Sequence, residues 1–332
     1  MQKNIDMVMA AFDYNRAEPC IVRETDHWAV VYKPPHLPTA PLRADERNTL
    51  VYWFLHSPEA EGDVLFDDMQ TDALLDATQI DPQEPPAEYG RDIQEVQIGN
   101  KPAIRPTGRR IREAQVRGKK AIEAGLLHRL DTDTRGLVLF AKDQAVYDFL
   151  AARQEAGQMI KTYCAFVEPN RVPEIDNGYG FGATELSMLK EFAAAQRGIA
   201  AQLPLTLESQ FRNFGPGAKR VAPVVSGSRH YKKDGRLYTT VIEAADILPS
   251  PPLIRVRCRL SRGYRHQVRA HLAAVGLPIV GDPLYAPQGA EAQPESAQVG
   301  LQLYAVSLEF PDLENPRQSI RVALPLPDKM NP

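Results

Sequence analysis

Cysteine is scarce in this chain: Cys20, Cys164 and Cys258 lie far apart in 332 residues. That scatter supports no disulfide framework, and two of the three fall in strand-like runs, where cysteine serves as a small buried apolar side chain. No apolar run approaches the roughly 20 residues that a membrane helix needs. Residues 1–16 lack the basic-then-apolar order of a signal peptide. A cytoplasmic, disulfide-free protein with no membrane partner is therefore expected. Metal-ligand spacing is also missing: the seven histidines never form H-E-x-x-H, and no C-x-x-C occurs. Nor is there a G-x-x-x-x-G-K-[ST] phosphate loop. The expectation is chemistry without a cofactor.

Net charge is small as well, −3, which alone argues weakly against a nucleic-acid partner. The average hides a sorted distribution. Residues 57–100 hold twelve acidic side chains and one basic one, Arg91. Residues 101–120 hold eight basic side chains and one acid, Glu113. Residues 253–271 hold six arginines and no acid. A local patch governs nucleic-acid binding more than the total does. The acidic stretch, with Pro82, Pro85 and Pro86, reads as a solvated surface insertion. The basic stretch after it either neutralises the acids or lines a route to an active site.

What is present centres on His128-Arg129-Leu130-Asp131-Thr132-Asp133-Thr134-Arg135-Gly136, a polar turn that runs into apolar residues 137–141. The apolar run reads as a buried strand, so Arg129, Asp131, Asp133 and Arg135 crowd its entrance. Loops on a rigid scaffold are where reactive groups usually sit. The alternative is an Asx-turn, in which an aspartate merely caps backbone amides. Residues 144–156 carry Val146, Phe149 and Leu150 on one helical face, with Asp143 as N-cap and Gly157 just past the end. A short helix is expected at 48–55, capped by Asn48, and another over 263–271, with Val268, Leu272 and Val275 apolar and Gly276 as its stop. Strands are expected at 28–32, 161–167, 238–244, 253–260, 299–308 and 319–324. In 253–260, Ile254, Val256, Cys258 and Leu260 alternate with Arg255, Arg257 and Arg259. The arginine stems could simply cover a half-exposed sheet. Three arginines with no carboxylate on their face favour a phosphate-binding surface. Residues 171–223 read as a second irregular insertion, with a helical pattern near 185–196. The mixture lacks regular βαβ alternation and reads as α+β.

The stretch 128–142 resembles the H-R-L-D-x-x-T-S-G-L-L-L-F-A-K signature of the RluA-type pseudouridine synthases, with Arg135 in the Ser slot. Further segments follow the same family. Lys33-Pro34-Pro35-His36-Leu37 resembles its K-P-x-G-x segment, with His36 for Gly. Residues 161–167 resemble K-x-Y-x-A-x-V. Residues 263–285 resemble G-R-T-H-Q-I-R-x-H … G-x-P-I-x-G-D-x-x-Y, with Tyr264 in the first Arg slot and Arg265 one place later. The resemblance implies a curved, mostly antiparallel sheet with flanking helices, and isomerisation of uridines in ribosomal or transfer RNA. It implies Asp131 as the catalytic carboxylate and Arg269 as its ion-pair partner. Tyr163 would stack on the uracil and help move its proton. Arg129, beside Asp131, could fill the gap left by a flipped base. Arg255, Arg257, Arg259 and Arg265 are the further candidates for RNA contact.

The expected organisation is an N-terminal arm over 1–20 and one catalytic domain over 21–330, with insertions at about 57–122 and 171–223. The separate RNA-binding module of many relatives is not expected, and the chain is expected to act as a monomer. A phosphatase of the haloacid-dehalogenase type, suggested by Asp131-Thr132-Asp133, would need a strand before the pair and Thr or Val where Arg135 stands. A catalytically inactive RNA-binding relative is the alternative that Arg135 and Tyr264 motivate.

Overall fold

The computed structural model describes residues 4–56, 116–167, 203–249, 252–285 and 299–331, all within one compact unit. The acidic stretch 57–100, most of the basic stretch 101–120 and the helical pattern at 185–196 lie outside the described residues. Eleven described strands form one sheet. They are β1 (Asn4–Val8), β2 (Cys20–Glu24), β3 (Trp28–Lys33), β4 (Arg135–Ala141), β5 (Ile160–Val167), β6 (Leu205–Phe214), β7 (Arg220–Val224), β8 (Tyr238–Pro249), β9 (Pro252–Leu260), β10 (Leu303–Pro311) and β11 (Ser319–Ala323). The described α-helices are α1 (Leu50–His56), α2 (Gln144–Glu155) and α3 (Gln267–Ala274). The spatial order is β2-β3-β4-β10-β5-β9-β8-β6-β7, with β11 also on β10 and β1 on β11. Among the described strands, only the β1–β11 and β4–β10 pairings are parallel. This is the mostly antiparallel α+β architecture expected.

Register assigns the two faces, because directly paired residues project to the same side. Tyr163 pairs with Cys258 and Ala305, whereas Cys164 pairs with Arg257 and Tyr304. Cys258 packs with Val268 and Leu272 of α3, and Ala305 packs with Leu50, Val51 and Phe54 of α1. Cys164 and Tyr304 pack with Val146 and Leu150 of α2. So α1 and α3 cover one face and α2 the other. Tyr163 touches both apolar clusters of the α1–α3 face and stands at their seam.

Local chemistry explains the helix ends. Asp143 accepts from the Val146 N–H at 2.8 Å and starts α2; Gly157, at φ 77, follows its end. The cap of α1 is Thr49 rather than Asn48: its hydroxyl accepts from the Tyr52 N–H at 3.1 Å. The third helix begins four residues later than its apolar pattern suggests, because His266 takes a left-handed φ of 56 just before it. Gly136 is required where it stands. Its φ is 130, and a Cβ there would collide with the Ala305 backbone of β10.

Two expectations about organisation are corrected. The N-terminal arm is a sheet strand: β1 pairs with β11 from Asn4↔Ser319 to Val8↔Ala323, and Tyr14 is buried. The expected insertion at 171–223 contains β6 and β7, a hairpin that extends the sheet from β8. Its polar residues Glu208, Gln210, Arg212 and Asn213 mask the alternation of Leu207, Ser209 and Phe211 toward α3.

Candidate active site

Asp131 sits on the turn before β4, and the end of β3 with the loop that follows it locks that turn. Thr39 Oγ1 donates to the Leu130 carbonyl at 2.7 Å and accepts from the Leu130 N–H at 3.1 Å. The Lys33 ammonium is fully buried and donates to the carbonyls of Pro34, Leu37 and Thr132 at 2.7, 2.8 and 2.8 Å. Burial pulls its pKa down to about 7, while the carboxylates of Asp133 and Asp131 pull upward. His36, in the slot of the family's glycine, takes a left-handed conformation with φ 61, and its Nδ1 lies 3.1 Å from Asp133 Oδ1. A non-glycine residue there is strained.

From the other side α3 supplies Arg269, 3% exposed. Its Nε and Nη2 donate as a fork to the two oxygens of Asp282, both at 2.8 Å. Its remaining Nη1 donates to Asp131 Oδ2 at 3.0 Å. Asp282 is itself fixed, since Oδ1 accepts from the N–H groups of Leu284 and Tyr285 at 2.9 and 3.1 Å. The guanidinium also lies 5.4 Å from the centre of the Tyr285 ring. Asp131 thus has one oxygen held by a buried cation, while its side chain stays 24% exposed.

His266 Nε2 lies 3.8 Å from the other oxygen of Asp131, Oδ1. Its Nδ1 is 3.1 Å from the Tyr285 hydroxyl, which accepts from the Val221 N–H at 2.8 Å. A hydroxyl that already accepts is free to donate to Nδ1. Burial lowers the pKa of His266 and keeps the ring neutral. Tyr163 is half-buried, and burial, then the charge of Asp131, raise its pKa above the usual tyrosine range. It stays a neutral phenol beside the carboxylate.

The structure thus brings Asp131, Arg269 and Tyr163 together. It treats the remaining arginines differently. Arg129 Nη2 donates to Glu123 Oε1 at 2.6 Å, with the arginine side chain 44% exposed at the rim. Exposed Arg265 bonds the carbonyls of Ala218 and Arg220 and the side chain of Asn213, so it braces the tip of the β6–β7 hairpin. Arg255, Arg257 and Arg259 project to the α2 face, away from Asp131. Carboxylates do face them, contrary to the expectation from the strand's own alternation. Arg255 pairs with Asp246 at 2.9 Å, and Glu243 lies 3.5 Å from Arg257 and 3.8 Å from Arg259. Glu243 sits at a register shift in β8, where it is within ion-pair distance of both.

The two departures from the family pattern also find places. Arg135 is 1% exposed on the α2 face, donates to the carbonyls of Tyr14 and Asn331, and lies over the Tyr304 ring. Tyr264 stacks on Phe211, with centroids 5.0 Å apart and the planes 7° from parallel. Lys33, His266 and Asp282 were not singled out as site residues. All three lie inside the family-like segments, which was the available signal.

A family model described as RNA pseudouridylate synthase matches residues 100–274. The chain belongs to that family. Within it, named relatives support the RluA type. This family member is 27% identical over 279 residues to the chloroplastic RNA pseudouridine synthase 2 of Oryza sativa subsp. japonica, covering 81% of the chain and 51% of that relative. It is 24% identical over 216 residues to ribosomal large subunit pseudouridine synthase D of Pseudomonas aeruginosa, covering 62% of the chain and 54% of the relative. The chain therefore spans about half the length of these curated relatives. Human RNA Pseudouridylate Synthase Domain Containing 1 shares the fold, with a TM-score of 0.50 at 17% identity over 96% of this chain and 86% of that one.

Proposed function

We propose that this chain isomerises uridines in RNA to pseudouridine, with Asp131 as the catalytic carboxylate. The N1–C1′ bond of the nucleotide breaks, the base turns, and a C5–C1′ bond forms. C5 gives up a proton and N1 gains one, so no oxidant or reductant is consumed. The observation that carries the reading is the Asp131–Arg269–Asp282 chain: a half-open carboxylate held by a guanidinium whose other edge is locked in the protein interior. A carboxylate in such a place needs a cation to remain a nucleophile. With Oδ2 on Arg269, Oδ1 is the oxygen left for the ribose. Tyr163 offers its ring to the uracil. As a neutral phenol it moves a proton by relay, giving one as it takes one.

Ribosomal RNA heads the candidate substrates, because several relatives are named for the large ribosomal subunit; transfer RNA is the second. Mapping pseudouridines in total RNA with and without the gene tests the reaction and finds the substrate. Restoration of the missing sites by wild type but not by Asp131→Asn is expected. Full restoration by the Asn variant would overturn the assignment. The reading as an inactive RNA-binding relative rested on Arg135 and Tyr264. Arg135 lies on the opposite face of the sheet and Tyr264 is stacked on Phe211, so neither removes a group from Asp131.

A further inference from the structure

A cavity of about 480 Å³ opens beside the candidate site, between α1, the loop that follows β3 and the segment before β2. That volume is in the range of small-ligand pockets, roughly 300–1,000 Å³. Its wall includes the aromatic rings of Tyr52, Trp53, His56 and His36, together with Arg47 and Glu18. Tyr52 and His56 are stacked, 4.0 Å between centroids and 14° between planes. Arg47 and Glu18 are exposed, and among the described residues neither makes an ion pair. One wall belongs to both places. His36 lines the cavity and contacts Asp133, two residues beyond Asp131. The same loop accepts from the α1 end through Leu50 N–H to Pro38 and Val51 N–H to Thr39, at 2.9 and 3.2 Å. Cavity and Asp131 therefore lie on the same face of the sheet, joined by one hydrogen-bonded loop.

We propose that this cavity binds one unpaired nucleotide of the RNA, a neighbour of the reacting uridine. The inference rests on the proposed activity only for the identity of that uridine. Aromatic rings accept a base by stacking, which is worth about 1–3 kcal/mol per base in single-strand binders. A guanidinium without a carboxylate partner is the natural contact for a phosphate. A carboxylate in the same wall accepts from an exocyclic amino group, so adenine, cytosine or guanine is favoured over uracil.

Tryptophan reports on the cavity directly. The chain has two, and Trp28 is 3% exposed against Phe310, which leaves Trp53 as the responsive one. Full-length protein is titrated with AMP, GMP, CMP and UMP, and Trp53→Phe controls the signal. Quenching by the amino-bearing nucleotides at several-fold lower concentration than by UMP is expected. Glu18→Gln should level that preference, and Arg47→Gln should weaken all four about fivefold. A single-stranded 12-mer RNA should displace AMP. On the RNA that the wild type modifies, Arg47→Gln should raise KM several-fold with kcat held. No quenching by any nucleotide, or RNA affinity and KM unchanged in Arg47→Gln, overturns the proposal. Displacement failure with good mononucleotide binding overturns it too, in favour of a free-nucleotide site. A wild type that isomerises nothing refutes the activity and leaves the fluorescence result standing.

Discussion

Arg269 and the arginines of β9 are close in sequence and alike in composition, yet they lie on opposite faces of one sheet and do different things. Arg269 is buried, forked onto Asp282, and turns its remaining nitrogen, Nη1, to Asp131. Arg257 and Arg259 are 42% and 48% exposed and share one glutamate at long range. A buried pair broken at one partner typically costs about 3–5 kcal/mol, because the other charge is stranded. An exposed pair is worth about 0–1 kcal/mol. Partner and burial, rather than the presence of an arginine, separate the cation of the proposed site from the solvated ones.

Asp131→Asn should strike hardest at activity and least at the scaffold. Turnover should fall about a thousandfold or more, some 4 kcal/mol of barrier, while RNA affinity stays within about tenfold because phosphate contacts dominate it. The melting temperature should hold, since Arg269 keeps Asp282. Isomerisation of the mapped RNA and a thermal scan read both sides of this split. Arg269→Met should lose activity and also about 3–5 kcal/mol of stability, because Asp282 is left buried without its cation. A Met variant that melts like the wild type would mean that the Asp282 fork is no anchor. Arg269→Lys should fall between the two, since one ammonium cannot reproduce a planar fork and a third contact.

His271, also on α3, shows another solution to burial: it is kept neutral between the hydroxyls of Ser209 and Thr240 at 2.8 and 2.9 Å. Burial pushes its pKa down to about 3. The unfolded chain takes up a proton near pH 6.5 that the folded chain refuses. The stability from His271 is thus complete above that pH and is lost as pH falls toward 3. The slope approaches about 1.4 kcal/mol per pH unit. Denaturant titrations from pH 7 to 4 should show the slope in wild type and a shallower one in His271→Gln. The smallest effect is expected on the other face. Arg257→Gln with Arg259→Gln should change stability by less than about 0.5 kcal/mol and leave the salt dependence of RNA binding unchanged. A salt slope reduced by about one for each arginine would restore them as phosphate contacts.

The sequence made the site more legible than its surroundings. The 128–142 signature and the Asp143 and Gly157 ends of α2 were readable because short motifs and local periodicity carry them, and the Asp131–Arg269 contact, 138 residues apart, was implied only by the family resemblance. The ion-pair partners of β9 were not, since Glu243 and Asp246 belong to another strand and one-strand alternation cannot show what faces it. The β1–β11 pairing joins residues more than three hundred positions apart, and no local pattern encodes such a contact. Arg135 read as a departure at the site because its loop is at the site. Its side chain leaves by the other face, which only the register of β4 against β10 decides.

That register bears on when the protein can work as well as on where its groups lie. Lys33, His36 and Asp131 hang from the block β2-β3-β4, and Tyr163 and Arg269 from the block that begins at β5; β10 is the strand hydrogen-bonded between them. On a ribosome every one of those side chains is made before residue 303. Until β10 emerges, the two blocks have no strand in common and each presents an open edge to any other chain nearby. A message cut short just before β10 would encode a polypeptide that holds every proposed catalytic side chain and has no strand to join them.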